Sequence, residues 1–364
     1  METALLFKKC SRATLTKIFS RHADMDYTFA SDNVMGVHPE SMTHIIAANT
    51  GAVASYGEDA YTEEAVAAVK ALFGKRAQPF FVFNGGAANS LALASLTRPF
   101  EAIACHGFAH VSLDECNAPE FFTSGSKLIP VDGADGKIDL EKLRAATEAR
   151  DDVHFPRVRT LSITQSTEVG TVYALDELGQ LRQVKEDLGL RLHMDGARFA
   201  HAVAHLNCAP SEIVEAGGVD ALSLGLVKIG VGLVECLILF DADVADGFAY
   251  RQKQACQLGS KMRMGTAPIA PALKTGCWID WAKHANDRAK QLAEGLQALG
   301  IPPVFPVQAN GVFVRFPEDS AKALREQGWQ FYDFVADTQR LMCHWATEAA
   351  IIDRFLDDVD RVMG

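Results

Sequence analysis

Several features that mark whole classes of protein are missing from this sequence. No apolar run approaches the ~20 residues of a membrane-spanning helix. Basic residues are fewer than acidic ones, 35 against 46, and the net charge of −11 argues against nucleic acid or an anionic membrane as a partner. Repeats and low-complexity tracts are missing too. What remains, 48% apolar and 22% charged residues, is the composition of a soluble globular protein.

Closely spaced cysteines, which would indicate a disulfide or metal framework, are also missing. The eight cysteines are scattered without a Cys-x-x-Cys motif, and several lie in apolar stretches predicted as strands. This pattern indicates buried, reduced thiols and predicts a cytoplasmic location. We set residues 1–26 apart as an N-terminal segment, because it begins with a basic stretch that faintly resembles a transit peptide. A frayed or interface-packing helix is the alternative for this segment.

Apolar strands alternate with amphipathic helices over most of the chain. Apolar runs predict strands at residues 80–83, 102–105, 127–131, 159–164, 190–194, 221–226 and 234–240. Helical spacing predicts helices at residues 39–48, 65–73, 87–96, 140–148 and 175–188. The alternation predicts an α/β fold, in which a mainly parallel sheet carries helices on both faces.

The pattern changes near residue 265, where two prolines and a glycine within 265–271 indicate a boundary. A chain of 364 residues is expected to form two domains. We predict a large domain over 27–265 and a smaller C-terminal α+β domain over 266–364. For the smaller domain we predict a long helix at 278–299, short strands at 304–307, 312–316 and 341–345, and a terminal helix that ends at Met363.

Two side chains of opposite charge follow two predicted strands. Asp195 lies in the run HMDGAR, residues 193–198, and Lys228 follows the strand at 221–226. Open α/β sheets place their ligand crevice at the carboxyl ends of strands. Taken singly, Asp195 could cap the next helix and Lys228 could be a solvated lysine. Together they indicate pyridoxal 5'-phosphate, whose aldehyde forms a Schiff base with lysine and whose ring nitrogen needs an adjacent carboxylate.

A glycine pair, Gly85 and Gly86, lies between the predicted strand at 80–83 and the next helix. A strand, a glycine pair and a helix N-terminus form a cup for an anion, although an ordinary tight turn has the same pattern. The pair has neither the Walker spacing nor the GxGxxG spacing, so it does not indicate a nucleotide site. Residues 230–235 imitate the start of a dinucleotide fingerprint, but Glu235 replaces its third glycine.

With these residues in order, the chain from about Tyr27 to its end resembles the low-specificity threonine aldolases. These are pyridoxal-phosphate enzymes of the aspartate-aminotransferase-like fold, fold type I. The matching motifs are Ser31-Asp32, residues 56–59, residues 85–89, His110, residues 151–155, HMDGAR, Lys228 and Arg340. The resemblance implies retro-aldol cleavage of L-threonine, L-allo-threonine and related β-hydroxy-α-amino acids such as phenylserine to glycine and an aldehyde, and the reverse addition. It also implies a homodimer or homotetramer, in which the loop 56–59 completes a second subunit's site.

The resemblance assigns a role to each matched residue. At the cofactor it implies Lys228 for the Schiff base, Asp195 for the ring nitrogen, His110 for stacking on the ring, and Gly85, Gly86 and Arg263 for the phosphate. At the substrate it implies Ser31, Tyr56, Arg198 and Arg340, with Arg198 also near the ring hydroxyl. The β-hydroxyl proton is expected to pass to His110 or His154, since histidine titrates near neutral pH.

The sequence departs from the family in three places. Val227 precedes the lysine where a hydroxyl residue is usual, and Ile229 follows it where a polar or small residue is usual. The family's run ENTHN corresponds to TQSTE, residues 164–168. The first two departures concern the hold on the cofactor, and the third concerns the substrate loop.

Three alternatives remain open at this point. Another reaction at Cα, such as β-elimination, racemisation or transamination, would use the same cofactor. A zinc enzyme would use the nearby candidates His193, Asp195, His201 and His205, although we expect no metal. A cofactor-free binding protein of doubly wound fold would need no reactive lysine.

Overall fold

The computed structural model describes residues 25–150 and 152–364. Asp151 and most of the predicted N-terminal segment, 1–26, therefore lie outside the described residues. Within the part that is described, none of the helices has the length and apolar character needed to cross a membrane.

The described residues form a seven-stranded sheet and a three-stranded sheet. The large sheet contains β1 (Gln78–Val82), β2 (Glu101–Cys105), β3 (Lys127–Pro130), β4 (Arg157–Thr164), β5 (Arg191–Gly196), β6 (Ala221–Leu224) and β7 (Glu235–Leu239). The small sheet contains β8 (Gly311–Val314), β9 (Tyr332–Phe334) and β10 (Thr338–Met342). Each strand predicted before residue 240 has a counterpart in the large sheet.

The large sheet has the strand order β1-β7-β6-β5-β4-β2-β3. Strands β3, β2, β4, β5 and β6 are parallel, whereas β7 is antiparallel to both of its neighbours. The predicted α/β fold with a mainly parallel sheet is therefore confirmed. Because β4, β5 and β6 are parallel neighbours, their carboxyl ends lie side by side at one edge. Thr164, Asp195 and the segment that leads to Lys228 follow one another along this edge.

Helices lie between the strands along the chain, and one helix follows the last strand. The first eight are α1 (Pro39–Ala48), α2 (Ala60–Phe73), α3 (Gly85–Leu96), α4 (His110–Leu113), α5 (Ala118–Phe122), α6 (Leu140–Glu148), α7 (Leu175–Leu188) and α8 (Phe199–Leu206). The others are α9 (Pro210–Gly217), α10 (Ala242–Ala245), α11 (Phe248–Gln254), α12 (Arg263–Thr266), α13 (Ile269–Thr275), α14 (Cys277–Ala298), α15 (Glu318–Glu326) and α16 (Ala349–Met363). Local chemistry sets their ends: Gly189 closes α7 at φ 62°, a left-handed conformation that glycine adopts without strain.

The described residues form two main apolar cores, and the long helix α14 contributes to both. The core of the large sheet includes Trp278 and Ala282, near the start of that helix. The second core lies between the small sheet, the later part of α14 and α16, and it includes Phe29. The predicted boundary at 265/266 lies upstream of the change from one core to the other within α14, because buried Ile269 and Leu273 hold α13 against the large core. The division into domains 27–265 and 266–364 remains a prediction.

The small sheet differs from its predicted strands. Residues 304–307 form no named strand, although the Val304 N–H is donated to the Phe313 carbonyl at 2.8 Å. Prolines at 302, 303 and 306 explain the difference, since they remove the backbone donors that a strand needs. β9 was not predicted, and β10 begins three residues before the predicted strand 341–345.

Candidate active site

A cleft of about 760 Å³ opens at the edge where β4, β5 and β6 end. The N-terminus of α3 closes one side, and Arg340 on β10 reaches it from the small sheet. Of the predicted site residues, the cleft brings together Ser31, Gly85, Gly86, His110, Asp195, Arg198, Lys228 and Arg340. Tyr56, His154 and Arg263 are not among the residues that line it in this one chain.

Asp195 is a buried carboxylate held by two donors. Its Oδ1 accepts the N–H of Ala197 at 2.9 Å, and its Oδ2 accepts the Asn89 amide at 2.8 Å. The same Asn89 nitrogen also donates to Glu115 at 2.8 Å. Asp195 is only 3% exposed, so these donors replace the water that would otherwise solvate it. The arrangement fixes a negative charge at the end of β5.

Lys228 lines the same cleft as Asp195 and lies on the segment after β6. Burial, and secondly the charge of Arg198, lower the pKa of its amine. Glu235 holds the backbone before the lysine, since its Oε2 accepts the N–H groups of Leu226 at 2.5 Å and Val227 at 3.1 Å. A lysine with a lowered pKa supplies more neutral amine, which is the nucleophilic form.

The turn after Lys228 depends on glycine. Gly230 has φ 85°, and a Cβ there would lie 2.7 Å from Nε1 of Trp345. Ile229, one of the departures from the family pattern, is 3% exposed and belongs to the core of the large sheet. The buried side chain of Ile229 therefore anchors the backbone next to Lys228 in the apolar core.

His110 is oriented from two sides. Its Nδ1 lies 2.8 Å from Oε1 of Glu115, and its backbone N–H is donated to Glu168 at 2.8 Å. The bond to Glu115 raises the pKa of the His110 ring, against the effect of burial. The contact with the Glu115 carboxylate thus fixes the orientation of the His110 ring at the wall of the cleft.

Two arginines contribute differently to the cleft. Nε and Nη2 of Arg198 donate to Asp32 at 2.8 and 3.0 Å, so that most of its charge is already paired. Arg340 has no such partner: its buried Nε makes no hydrogen bond in the part of the chain that the structure describes. Burial, and secondly Arg198, lower the pKa of Arg340 to about 10. Arg340 is therefore the better placed of the two to receive an anionic ligand.

The glycine pair opens helix α3 as an anion cup requires. Asn84 caps the helix, with its Oδ1 accepting the Ala87 N–H at 2.8 Å. Gly85 and Gly86 supply the first two amides, which have no acceptor within the helix. A Cβ built on Gly85 would meet nothing within 4 Å, so that the backbone there is open on the cleft side.

The other three predicted residues lie at the surface of this chain. His154 is exposed on a loop where Val153 is 96% exposed. Tyr56 is 46% exposed, and the Lys253 ammonium lies 4.3 Å from the centroid of its ring in a cation–π contact. The Arg263 guanidinium donates to the Gly51 carbonyl at 3.2 Å. The structure of the single chain does not bring these three side chains to Lys228, and their roles remain predictions.

Sequence reasoning assigns no role to several buried or half-buried acids and amides that organise the cleft: Asp32, Asn89, Glu115, Glu168 and Glu235. Asp32 lies in the matched Ser31-Asp32 motif, which was the available signal. Glu235 was noted only as the break in a dinucleotide fingerprint. The partners of Asp32 and Asn89 are 166 and 106 residues away, so local patterns do not reveal them.

The histidines of the zinc alternative have separate partners. His193 lies between Ser162 and Ser223, at 2.9 and 3.1 Å. His201 bonds to Asn286 at 2.9 Å, and burial lowers the pKa of each of these two histidines to about 4. Among residues 25–150 and 152–364, no three histidine, cysteine or acidic side chains are close enough to share a metal ion.

A larger cavity, of about 1160 Å³, lies at the opposite edge, where β2, β4 and β5 begin. Its wall carries five arginines, namely Arg98, Arg157, Arg159, Arg191 and Arg251. No lysine among the described residues lines it, and so it offers no amine that could form a Schiff base with a carbonyl group. The smaller cleft is therefore the candidate active site.

Comparisons with known proteins agree with this geometry. The model of the beta-eliminating lyase family matches residues 28–319. Low specificity L-threonine aldolases from Pseudomonas aeruginosa and from Pseudomonas sp. (strain NCIMB 10558) are each 43% identical, over 94% and 93% of this chain and 99% of each relative. The solved structure of Leishmania major threonine aldolase has a TM-score of 0.87 at 26% identity, covering 93% of this chain and 100% of its own.

A more distant structure extends the comparison of the fold. Aspartate aminotransferase from Thermus thermophilus has a TM-score of 0.70 at 18% identity, and the match covers 96% of this chain and 94% of the enzyme. The predicted aspartate-aminotransferase-like fold is confirmed, as is the predicted family. The chain belongs to the beta-eliminating lyase family, with relatives named low specificity L-threonine aldolase over nearly its whole length.

Proposed function

We propose that this chain is a pyridoxal-phosphate-dependent aldehyde-lyase. It would cleave L-threonine, L-allo-threonine and related β-hydroxy-α-amino acids such as phenylserine to glycine and an aldehyde, and catalyse the reverse addition. The observation that carries the proposal is the pair in the cleft: an amine of lowered pKa at Lys228 and a buried, hydrogen-bonded carboxylate at Asp195. The names of the relatives support the substrate class.

The residues of the cleft fit the cofactor. Lys228 would bind its aldehyde, Asp195 would face its ring nitrogen, and Gly85 and Gly86 would hold its phosphate at the N-terminus of α3. The buried Oδ1 of Asn89 has no hydrogen-bond partner among the described residues, which is expected of a group that accepts a hydrogen bond from a bound ligand. When bound, the cofactor would supply a cationic ring that accepts electrons from the substrate.

The protein side of the mechanism is positioning and proton control. Asp195 would favour a proton at the ring nitrogen of the bound cofactor, because a fixed negative charge opposes the loss of that proton. Arg340 binds the substrate carboxylate through its free Nε, which orients the bond at Cα. His110, held by Glu115 at 2.8 Å, would lie against the ring. Ser31 at the cleft wall adds a hydroxyl for the same carboxylate.

Other reactions at Cα use the same groups, so products decide between them. Purified protein with added pyridoxal phosphate should convert L-threonine and β-phenylserine to glycine and the matching aldehyde. Ammonia and the matching 2-oxo acid, which is 2-oxobutyrate for threonine, would instead contradict the proposal in favour of β-elimination. Lys228→Ala should abolish turnover with the fold intact, whereas Lys274→Ala, a change at an exposed lysine on α13, should leave it unchanged.

We extend the proposal to assembly and location. The chain would act in the cytoplasm as a homodimer or homotetramer, with Tyr56 and its loop reaching the cleft of a second subunit. The exposed position of Tyr56, away from its own cleft, supports that arrangement. Light scattering should give a mass of two or four chains, and a monomer with full activity would contradict it.

A further inference from the structure

Glu168 is a cleft residue whose carboxylate is bonded on one side only. Its Oε1 accepts the His110 N–H at 2.8 Å and the Thr164 hydroxyl at 2.7 Å. Its Oε2 is shielded from solvent and has no hydrogen-bond partner in the described part of the chain. A shielded carboxylate oxygen without a donor is costly, so it is expected to carry a proton or to bond to a ligand.

The surroundings of Glu168 favour a proton. Burial, and then the nearby charge of Asp195, raise the pKa of Glu168 to about 7, although the two donors to Oε1 lower it. Three cations also line the cleft, Arg198, Lys228 and Arg340. Arg198, whose charge interacts with that of Glu168, is already paired with Asp32. The pKa of this carboxyl group therefore lies near neutral pH, where an acid–base group works best.

The histidines considered for proton transfer are less suited to it. The Nδ1 of His110 is committed to Glu115, and that bond raises the pKa of the ring. His154 is exposed and does not line the cleft of this chain. Glu168 lines the cleft together with Lys228 and has an unused oxygen.

We propose that Glu168 is the general acid–base residue of the cleft and acts through its free Oε2. This inference rests on the proposed function. In the cleavage direction, Oε2 takes the proton of the β-hydroxyl group as the C–O bond becomes C=O and the Cα–Cβ bond breaks. The electron pair of that bond stays on the amino-acid half, which later takes a proton at Cα and leaves as glycine. In the reverse direction the carboxylic acid returns the proton to the new hydroxyl group.

Glu168→Gln is the direct test, since the amide oxygen can still accept from His110 and Thr164. Glu101→Gln is the matched control, because Glu101 is 9% exposed and lies at the opposite edge of the sheet. We expect kcat of the Glu168 variant to fall by about 10²-fold or more with a much smaller change in KM, and the limb of the pH–rate profile near pH 7 to disappear.

Infrared titration of the protein without cofactor gives a readout besides activity. The parent protein and the Glu101 variant should show a carboxylic acid band that titrates near pH 7, and Glu168→Gln should lack it. A Gln variant that keeps the rate, the pH limb or the band would overturn the inference. If that variant fails to fold, Glu168→Asp decides: a displaced pH limb supports the inference and an unchanged limb overturns it.

Failure of the inference is distinguishable from failure of the proposed function. Borohydride reduction of the parent protein with pyridoxal phosphate reports attachment at Lys228 whatever the role of Glu168. Attachment and glycine production without an effect of Glu168→Gln would remove only this inference.

Discussion

The buried ion pair between Asp32 and Arg198 should be a main support of the cleft. Its two hydrogen bonds are 2.8 and 3.0 Å long, and the side chains are 1% and 13% exposed. Asn310 donates to the same carboxylate at 3.2 Å. Asp32→Ala would leave the Arg198 guanidinium buried without a counter-charge, which typically costs about 3–5 kcal/mol. That is a large share of a total stability of about 5–15 kcal/mol.

Urea unfolding, monitored by circular dichroism, measures this loss of stability. Two further variants serve as controls. Replacing both partners, as in Asp32→Leu with Arg198→Met, should recover much of the stability, because the uncompensated charge is then gone. Asp187→Ala, which breaks the exposed 2.7 Å pair with Arg144, should have no measurable effect. A loss below about 1 kcal/mol for Asp32→Ala would refute the reasoning.

The same pair makes a pH prediction. Burial opposes the charge of Asp32, but Arg198 and then Lys228 outweigh it and lower the pKa of this carboxyl group. A lowered folded pKa stabilises the fold above the unfolded value of ~3.9, and that contribution is lost as the pH falls below it. The parent protein should therefore lose stability more steeply than Asp32→Asn on acidification below that value. Parallel pH curves for the two proteins would contradict this.

Three further predictions concern other parts of the site. Glu115→Gln should lower the pKa of His110, measured by NMR titration of its ring; an unchanged pKa would argue that the 2.8 Å bond is not formed in solution. Gly230→Ala should destabilise the fold by more than the ~1–2 kcal/mol of left-handed backbone strain, whereas Gly179→Ala in α7, where a Cβ has open space, should stabilise it slightly; equal urea midpoints would contradict this. Arg340→Gln should raise KM for the amino acid about 10- to 100-fold while cofactor binding persists, and an unchanged KM would remove Arg340 from carboxylate binding.

The sequence was informative where function depends on local order. Asp195 lies at the end of β5 and Lys228 follows β6, and the rule that parallel strands end at one edge was enough to place them together. Gly85 and Gly86 could be assigned to an anion cup for the same reason, because strand, turn and helix are consecutive. The alternation of strands and helices predicted the large sheet in the same way.

The remainder of the site depends on contacts between distant segments. Asp32 meets Arg198 across 166 residues, and Asn89 meets Asp195 across 106. No period or motif encodes such pairs, since they arise only when the sheet is assembled. The one-sided bonding of Glu168 is likewise visible only with its neighbours in place. The predicted boundary near 265 rests on prolines, which indicate a break in the local pattern. The packing of α13 against the large core depends on residues that are distant in the chain.

The central claim is that Lys228 is the residue that binds the cofactor. Borohydride reduction of the protein with bound pyridoxal phosphate, followed by digestion and mass spectrometry, locates the modified lysine directly. The account predicts one stoichiometric pyridoxyl group, on the peptide that contains Lys228, and its loss in Lys228→Ala. Attachment at a different lysine, or no stable attachment at saturating cofactor, would contradict it.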